Sequence, residues 1–122
     1  MIQLGNKKFN LIEVADEPTS WARGLSGKTS IPSGTGMLFS YHAPYPPQSF
    51  WMRGMLFSID IIFIGPDNTV TGVVRNLPVP TPDKGMPKFS SFSPVKYALE
   101  VNSGESEGIK KGDSCKLIRG TT

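Results

Sequence analysis

The sequence predicts a mainly β chain, a small closed or partly open antiparallel β-barrel or sandwich with one short helix near residues 17–26. Three observations carry that expectation. The chain has 122 residues and 13.3 kDa, which suits a single domain over 1–122 and a core of moderate size. Gly 13 plus Pro 11 makes 24 residues, close to one in five, which disfavours long helices. Apolar residues come in short runs bounded by turn signals, most clearly from Ser58 to Ile64.

The elements follow in order. Ile2–Leu4 and Phe9–Val14 flank a Gly5-Asn6-Lys7 turn and read as a hairpin. Asp16 is a candidate N-cap for a helix with Glu17 and Pro18 in its first turn. Trp21, Ala22 and Leu25 share one side of it, and Gly24 or Gly27 ends it. Trp21 reads as a core anchor covering an open end of the sheet. Gly36–Phe39 starts a strand, and the prolines of Tyr41–Gln48 force a loop, because proline donates nothing to a ladder. Ser49–Arg53 and Ser58–Ile64 return as strands, and Thr69–Arg75 pairs back across a Gly65-Pro66-Asp67-Asn68 turn. From Asn76 to Val95, Pro78, Pro80, Pro82, Pro87 and Pro94 leave little room for regular structure. Such a loop is expected to face a partner or ligand, or to be strapped over a barrel end by Met86, Phe89 and Phe92. Lys96–Asn102 and Asp113–Ile118 supply the last strands.

If residues 54–57 connect two antiparallel strands, Arg53 faces Ser58 and Trp51 faces Asp60. Trp51, Arg53, Ser58 and Asp60 then share a face, with Arg53 and Asp60 diagonal neighbours beside the indole. Phe50, Met52, Ile59, Ile61 and Phe63 take the opposite, core face. The Trp51–Arg53–Asp60 cluster reads either as a buried structural pair or as the floor of a binding site.

Charge and composition exclude several functions. Thirteen Lys and Arg against ten Asp and Glu give +3, spread as five basic and four acidic residues over 1–61 and eight and six over 62–122. A nucleic-acid binder concentrates its cations, so no nucleic-acid partner is expected. One His and one Cys build neither a zinc site nor an intramolecular disulfide, and no metal or cofactor is expected. Cys115 and His42 could in principle form a nucleophile–base pair, but Cys115 lies in an apparent strand, where a lone thiol is usually inert. Gly27-Lys28-Thr29 ends like a phosphate loop, yet Ala22 stands where the first glycine belongs. The N-terminus lacks the apolar stretch of a signal peptide, and the run Ile61–Ile64 is too short to span a bilayer. No membrane partner is expected.

Several blocks occur in a familiar order: Val14-Ala15-Asp16, Arg23-Gly24-Leu25, Gly36-Met37-Leu38-Phe39, Phe50-Trp51-Met52, Asp60-Ile61-Ile62-Phe63-Ile64, Leu99-Glu100-Val101-Asn102 with Gly104, and Gly108-Ile109-Lys110 before Gly112-Asp113. Together they resemble the domain of unknown function 192 family, also called uncharacterised protein family 0127, nearly end to end. The resemblance implies a small β-barrel-like domain with little helix, found in bacteria, archaea and phages, without an established activity. It also implies one cleft shared by Trp51, Met52, Asp60 and Asn102. The chain departs from the family at Arg53-Gly54-Met55, where Lys-Asn-Thr is usual, and at Gly65, which replaces a frequent Asp. Many relatives carry a signal peptide, whereas this N-terminus reads without one, so a cytoplasmic or virion-associated form is expected here.

Three readings follow. The first is a non-catalytic binding module in which Trp51, Tyr41, Tyr45 and Arg53, with Asp60 and Asn102, hold a carbohydrate or an extended peptide. The second is a structural or assembly protein, such as a phage virion component, contacting partner subunits or its own copies through the Pro-rich loops. The third is a hydrolase pairing Asp60 with Glu100 or Asp16.

Overall fold

A computed structural model describes residues 1–118 other than Lys84, Met86, Pro87 and Phe92. In chain order its elements are β1 (Ile2–Leu4), β2 (Lys7–Ala15), α1 (Pro18–Arg23), β3 (Thr35–Ser40), β4 (Ser49–Trp51), β5 (Ile59–Ile64), β6 (Val70–Leu77), β7 (Lys88–Ser90), β8 (Tyr97–Asn102) and β9 (Cys115–Leu117). The fold is mainly β, as the sequence predicts, and its large sheet runs β6-β5-β8-β3-β2-β1-β9. This sheet curls into a half-barrel. Its two ends are drawn together where Thr69 bridges to Ser114, with the Val70 N–H donating to the Asp113 carbonyl and the Cys115 N–H to that of Asn68, both at 2.8 Å.

One strand pair departs from the antiparallel expectation. β2 and β3 run parallel, Leu11 opposite Gly36 and Val14 opposite Leu38. Parallel neighbours need a crossover, and segment 16–34, which contains α1, supplies it. The helix is shorter than expected, with Glu17 rather than Asp16 at its N-cap, Pro18 in its first turn and Gly24 at its end. Leu25 is fully buried but lies beyond the helix, and Ala22 is exposed. Trp21 anchors the crossover, as its indole N–H donates to the carbonyls of Ala15 at 3.0 Å and Ser40 at 3.2 Å. It thereby ties together the ends of the two parallel strands.

The second departure concerns β4. It does not pair with β5; it pairs with β7, Ser49 opposite Ser90 and Trp51 opposite Lys88. The two form a separate ribbon, so segment 76–95 is not wholly irregular. Of the apolar residues assigned to that loop, Phe89 packs against the core, whereas Met86 and Phe92 lie outside the described residues.

The central strands are buried on both faces, which is why β5 is apolar at nearly every position. One face carries Leu38, Ile62, Ile64, Leu99 and Val101 into the curl of the sheet, where they meet Ile2, Leu4, Phe9 and Ile109. The other carries Met37, Phe39, Ile61, Phe63 and Ala98 against Trp21, Leu25, Phe50, Met52 and Met55. β2 serves both faces: Phe9 and Leu11 pack inside the curl and Ala15 outside it. All three have the same parity, and the irregularity between Leu11 and Glu13 turns the strand over.

A second irregularity, between Ile59 and Ile61, explains Asp60. Opposite it, Asn76 adopts φ 58°, a left-handed conformation that Asn tolerates, and donates its backbone N–H to Asp60 Oδ1 at 2.8 Å. Asp60 Oδ2 accepts from the Gly104 N–H at 3.1 Å, the Ser106 N–H at 3.1 Å and the Ser106 hydroxyl at 2.6 Å. The fully buried carboxylate is therefore a structural clasp joining β5, β6 and the loop after β8.

Candidate functional site

A cleft of about 290 Å³ opens on the outer face, between α1 with the turn that follows it and the β4 ribbon with its following turn. Phe39 of β3, Tyr41, Trp21 of α1 and Phe50 of β4 form its aromatic walls. Trp21 lies 5.0 Å from Tyr41 between ring centroids, and Phe39 meets Phe50 edge-on at 5.8 Å. The two rims are joined by the Gly27 N–H, which donates to the Gly54 carbonyl at 2.9 Å. That bond also removes Gly27 as a phosphate cradle.

Glu100 of β8 is the carboxyl that lines this cleft. The strand register sets it opposite Met37 and Ile61, on the face that turns toward the cleft. Only 6% of the residue is exposed, and Oε1 is buried without a hydrogen-bond partner among the described residues. Burial pushes its carboxyl up to about 8, so at neutral pH the group is largely a neutral acid, able to donate one hydrogen bond and accept others. Tyr41 is held well above the ordinary phenol range, first by burial and then by the charge that Glu100 can carry. Gly24 brings the backbone up to this carboxyl: a Cβ there would lie 3.4 Å from Phe39 Cζ and 3.9 Å from Glu100 Oε1. Its φ of 52° with ψ of −138° is a conformation reserved essentially for glycine.

The sequence-predicted site divides. Trp51, Arg53 and Tyr41 do line the cleft. Asp60 does not, because it points into the curl side of the sheet and is saturated by its four donors, so the expected Arg53–Asp60 pair is not formed. The expectation failed because residues 52–58 do not form a hairpin turn, and β4 left the sheet. Asn102 is also elsewhere, donating its side-chain N–H to the Ile31 carbonyl at 3.0 Å. Tyr45 packs against the outer core without reaching the cleft, and Met52 is core. The single cleft implied for Trp51, Met52, Asp60 and Asn102 is thus not assembled.

The catalytic alternatives lose their geometry as well. Asp60 and Glu100 are neighbours in register but project from opposite faces, and Asp16 is exposed beyond β2. Cys115 packs inside the curl, where burial pushes its thiol up to about 11 against a smaller opposing effect of the Lys96 charge. His42 lies against Trp21 on the outer side at 5.4 Å. No group of acidic, His and Cys side chains able to hold a metal occurs among the described residues. No helix among them is long and apolar enough to cross a membrane.

Among the cleft residues, Trp21 and Phe50 are expected from the sequence as core and Glu100 only as a carboxylate partner for Asp60. The legible signal was a carboxylate inside Ala98–Val101, a run otherwise apolar on both faces.

The class defined by these features is a mainly β half-barrel domain with an aromatic cleft on the covered face of its sheet. The chain belongs to the DUF192 family, described as an uncharacterized ACR, which matches residues 2–117. Two solved structures share the fold. One is a protein of unknown function from Novosphingobium aromaticivorans, 28% identical, with a TM-score of 0.84 over 95% of this chain and 83% of the other. The second, from Sinorhizobium meliloti, is described with a proposed role as a transcription regulator; it is 24% identical, with a TM-score of 0.81 over 94% of this chain and 90% of its own. No curated protein matches the chain.

Proposed function

We propose that the protein is a non-catalytic binding module whose outer cleft takes a carbohydrate. The observation that carries this reading is the unpartnered oxygen of Glu100 among aromatic walls. A buried carboxyl without a partner is costly, and a ligand that supplies one recovers the loss. Sugars match the site on both counts, offering apolar ring faces to Trp21, Tyr41 and Phe50 and hydroxyls to the acid. The volume suits about one or two sugar rings. An extended peptide is favoured less, since it is read along a strand edge and not at the floor of a short cleft. Glu100 is the only carboxylate among the described residues that line the cleft, which supports binding over paired-carboxylate hydrolysis.

The test is calorimetric titration with a panel of mono- and disaccharides, repeated with Glu100→Leu. Binding of at least one saccharide by the wild type and its loss in a folded Glu100→Leu protein are expected. A panel without any binder overturns the reading, as does binding that survives Glu100→Leu.

A further inference from the structure

Beside the cleft lies a shallower depression of about 180 Å³ lined by Ser49, Phe50, Trp51 and Lys88. The first three also line the cleft itself, so the two hollows share a wall and form one elongated surface. Trp51 stands on that wall 45% exposed, which is unusual for a tryptophan on a short strand. Its ring is not a free stacking platform. The Arg53 guanidinium carbon lies 5.3 Å from the ring centroid and the Lys88 ammonium 5.8 Å from it. The indole holds two cations beside one another.

Their charge is not answered within the described protein. The third cation at this end, Arg23, is paired with Glu13. The remaining ion pair among the described residues joins Lys110 to Asp113. Arg53 and Lys88 enter neither, and both are exposed. A guanidinium offers its N–H groups in the fork that suits a carboxylate, and the ammonium beside it adds a second charge.

Resting on the carbohydrate reading above, we propose that the ligand is an acidic saccharide: a sugar ring enters the aromatic cleft, and the carboxylate of an adjoining uronic acid is held at the rim by Arg53 and Lys88. The pairing of a deep polar acid with a cationic rim, separated by a shared aromatic wall, fits an oligosaccharide that carries its charge on the neighbouring unit.

The experiment compares galactobiose with digalacturonate, which carries carboxylates where the former has hydroxymethyl groups, by calorimetric titration of the wild type and of the double variant Arg53→Gln/Lys88→Gln. Both substituted side chains are exposed, and an unchanged thermal midpoint confirms the fold. The acidic disaccharide is expected to bind about tenfold or more tightly than the neutral one at low salt. That preference should shrink as salt is raised, since rim charges are screened within about 10 Å at 0.1 M. It should vanish in the double variant, which is expected to bind the two disaccharides with equal affinity. Equal affinity for both sugars, or a preference that survives the double substitution, overturns this inference and leaves the carbohydrate reading standing. Failure of both disaccharides and of every other saccharide in the panel overturns that reading, and the inference with it.

Discussion

Replacing Glu100 by Gln should make the protein more stable, by an amount that grows with pH. The carboxyl ionises near 4.5 when free in water, and burial moves it to about 8 in the folded chain. Between those values the unfolded state has lost the proton that the folded state keeps. Unfolding then releases a proton, and wild-type stability declines as pH rises through the window, levelling off above about 8. The interval from 4.5 to about 8 corresponds, at about 1.4 kcal/mol per pH unit, to a decline on the order of 5 kcal/mol. Tyr41, Arg23 and Arg53 line the same cleft, and the rise comes from burial, so this figure is an upper bound. Gln keeps the shape and carries no charge at any pH. Urea unfolding of both proteins at a series of pH values from about 5 to about 9 tests this. The variant's advantage should be small at the acid end and largest above the folded pKa. A difference that stays constant across the series would show that Glu100 is already ionised when folded, and the account of a neutral buried acid would be refuted.

Three further outcomes follow from the geometry. Asp60→Ala strands four donors at a buried position and should cost about 3–5 kcal/mol in denaturant unfolding; a loss below about 1 kcal/mol would deny the clasp. Trp21→Phe removes the indole N–H bonded to the Ala15 and Ser40 carbonyls and should lower stability by about 1–2 kcal/mol, measured the same way. Gly36→Ala sets a Cβ 2.9 Å from the Glu100 carbonyl oxygen and from Leu99 Cδ1, so β3 and β8 must part and stability should fall by about 1–3 kcal/mol. A thermal midpoint equal to that of the wild type would contradict that close approach.

What could be read from the sequence was what local patterns determine. The β1–β2 hairpin, the β5–β6 hairpin and the strand at 97–102 each rest on alternation, or a continuous apolar run, between turn residues a few positions apart. What could not be read were the partners of β4 and the direction of β3. Both depend on contacts distant in sequence: β4 meets residues 88–90, and β3 joins β2 only after a crossover. The error at the site came from that one pairing. Placing β4 beside β5 put Asp60 under Trp51, whereas the register that forms sends Asp60 through the sheet to its backbone donors. Tyr41, Trp51 and Arg53 were still found, because chemistry at a loop and a ribbon tip does not depend on which neighbour the ribbon has.

Asp60 and Glu100 show that two buried carboxyls can stand in opposite relations to one fold. Both are buried carboxyls on central strands, in adjacent positions across the β5–β8 pair. Asp60 accepts hydrogen bonds from three backbone N–H groups and one hydroxyl, and those donors hold three segments in place. Its burial is balanced inside the protein, and removing it damages the fold. Glu100 has an oxygen with no partner among the described residues, and the Phe39 ring and the Gly24 backbone stand close by. Packing at that position would be served better by an apolar side chain of similar size, since a neutral acid without its hydrogen bond loses about 1–3 kcal/mol. A carboxyl that weakens the fold it sits in, while lining a cleft large enough for a small molecule, is the feature on which the proposed binding rests. That asymmetry is why Glu100, rather than Asp60, is the residue whose substitution should separate binding from stability: Glu100→Leu is expected to raise the thermal midpoint while abolishing saccharide binding.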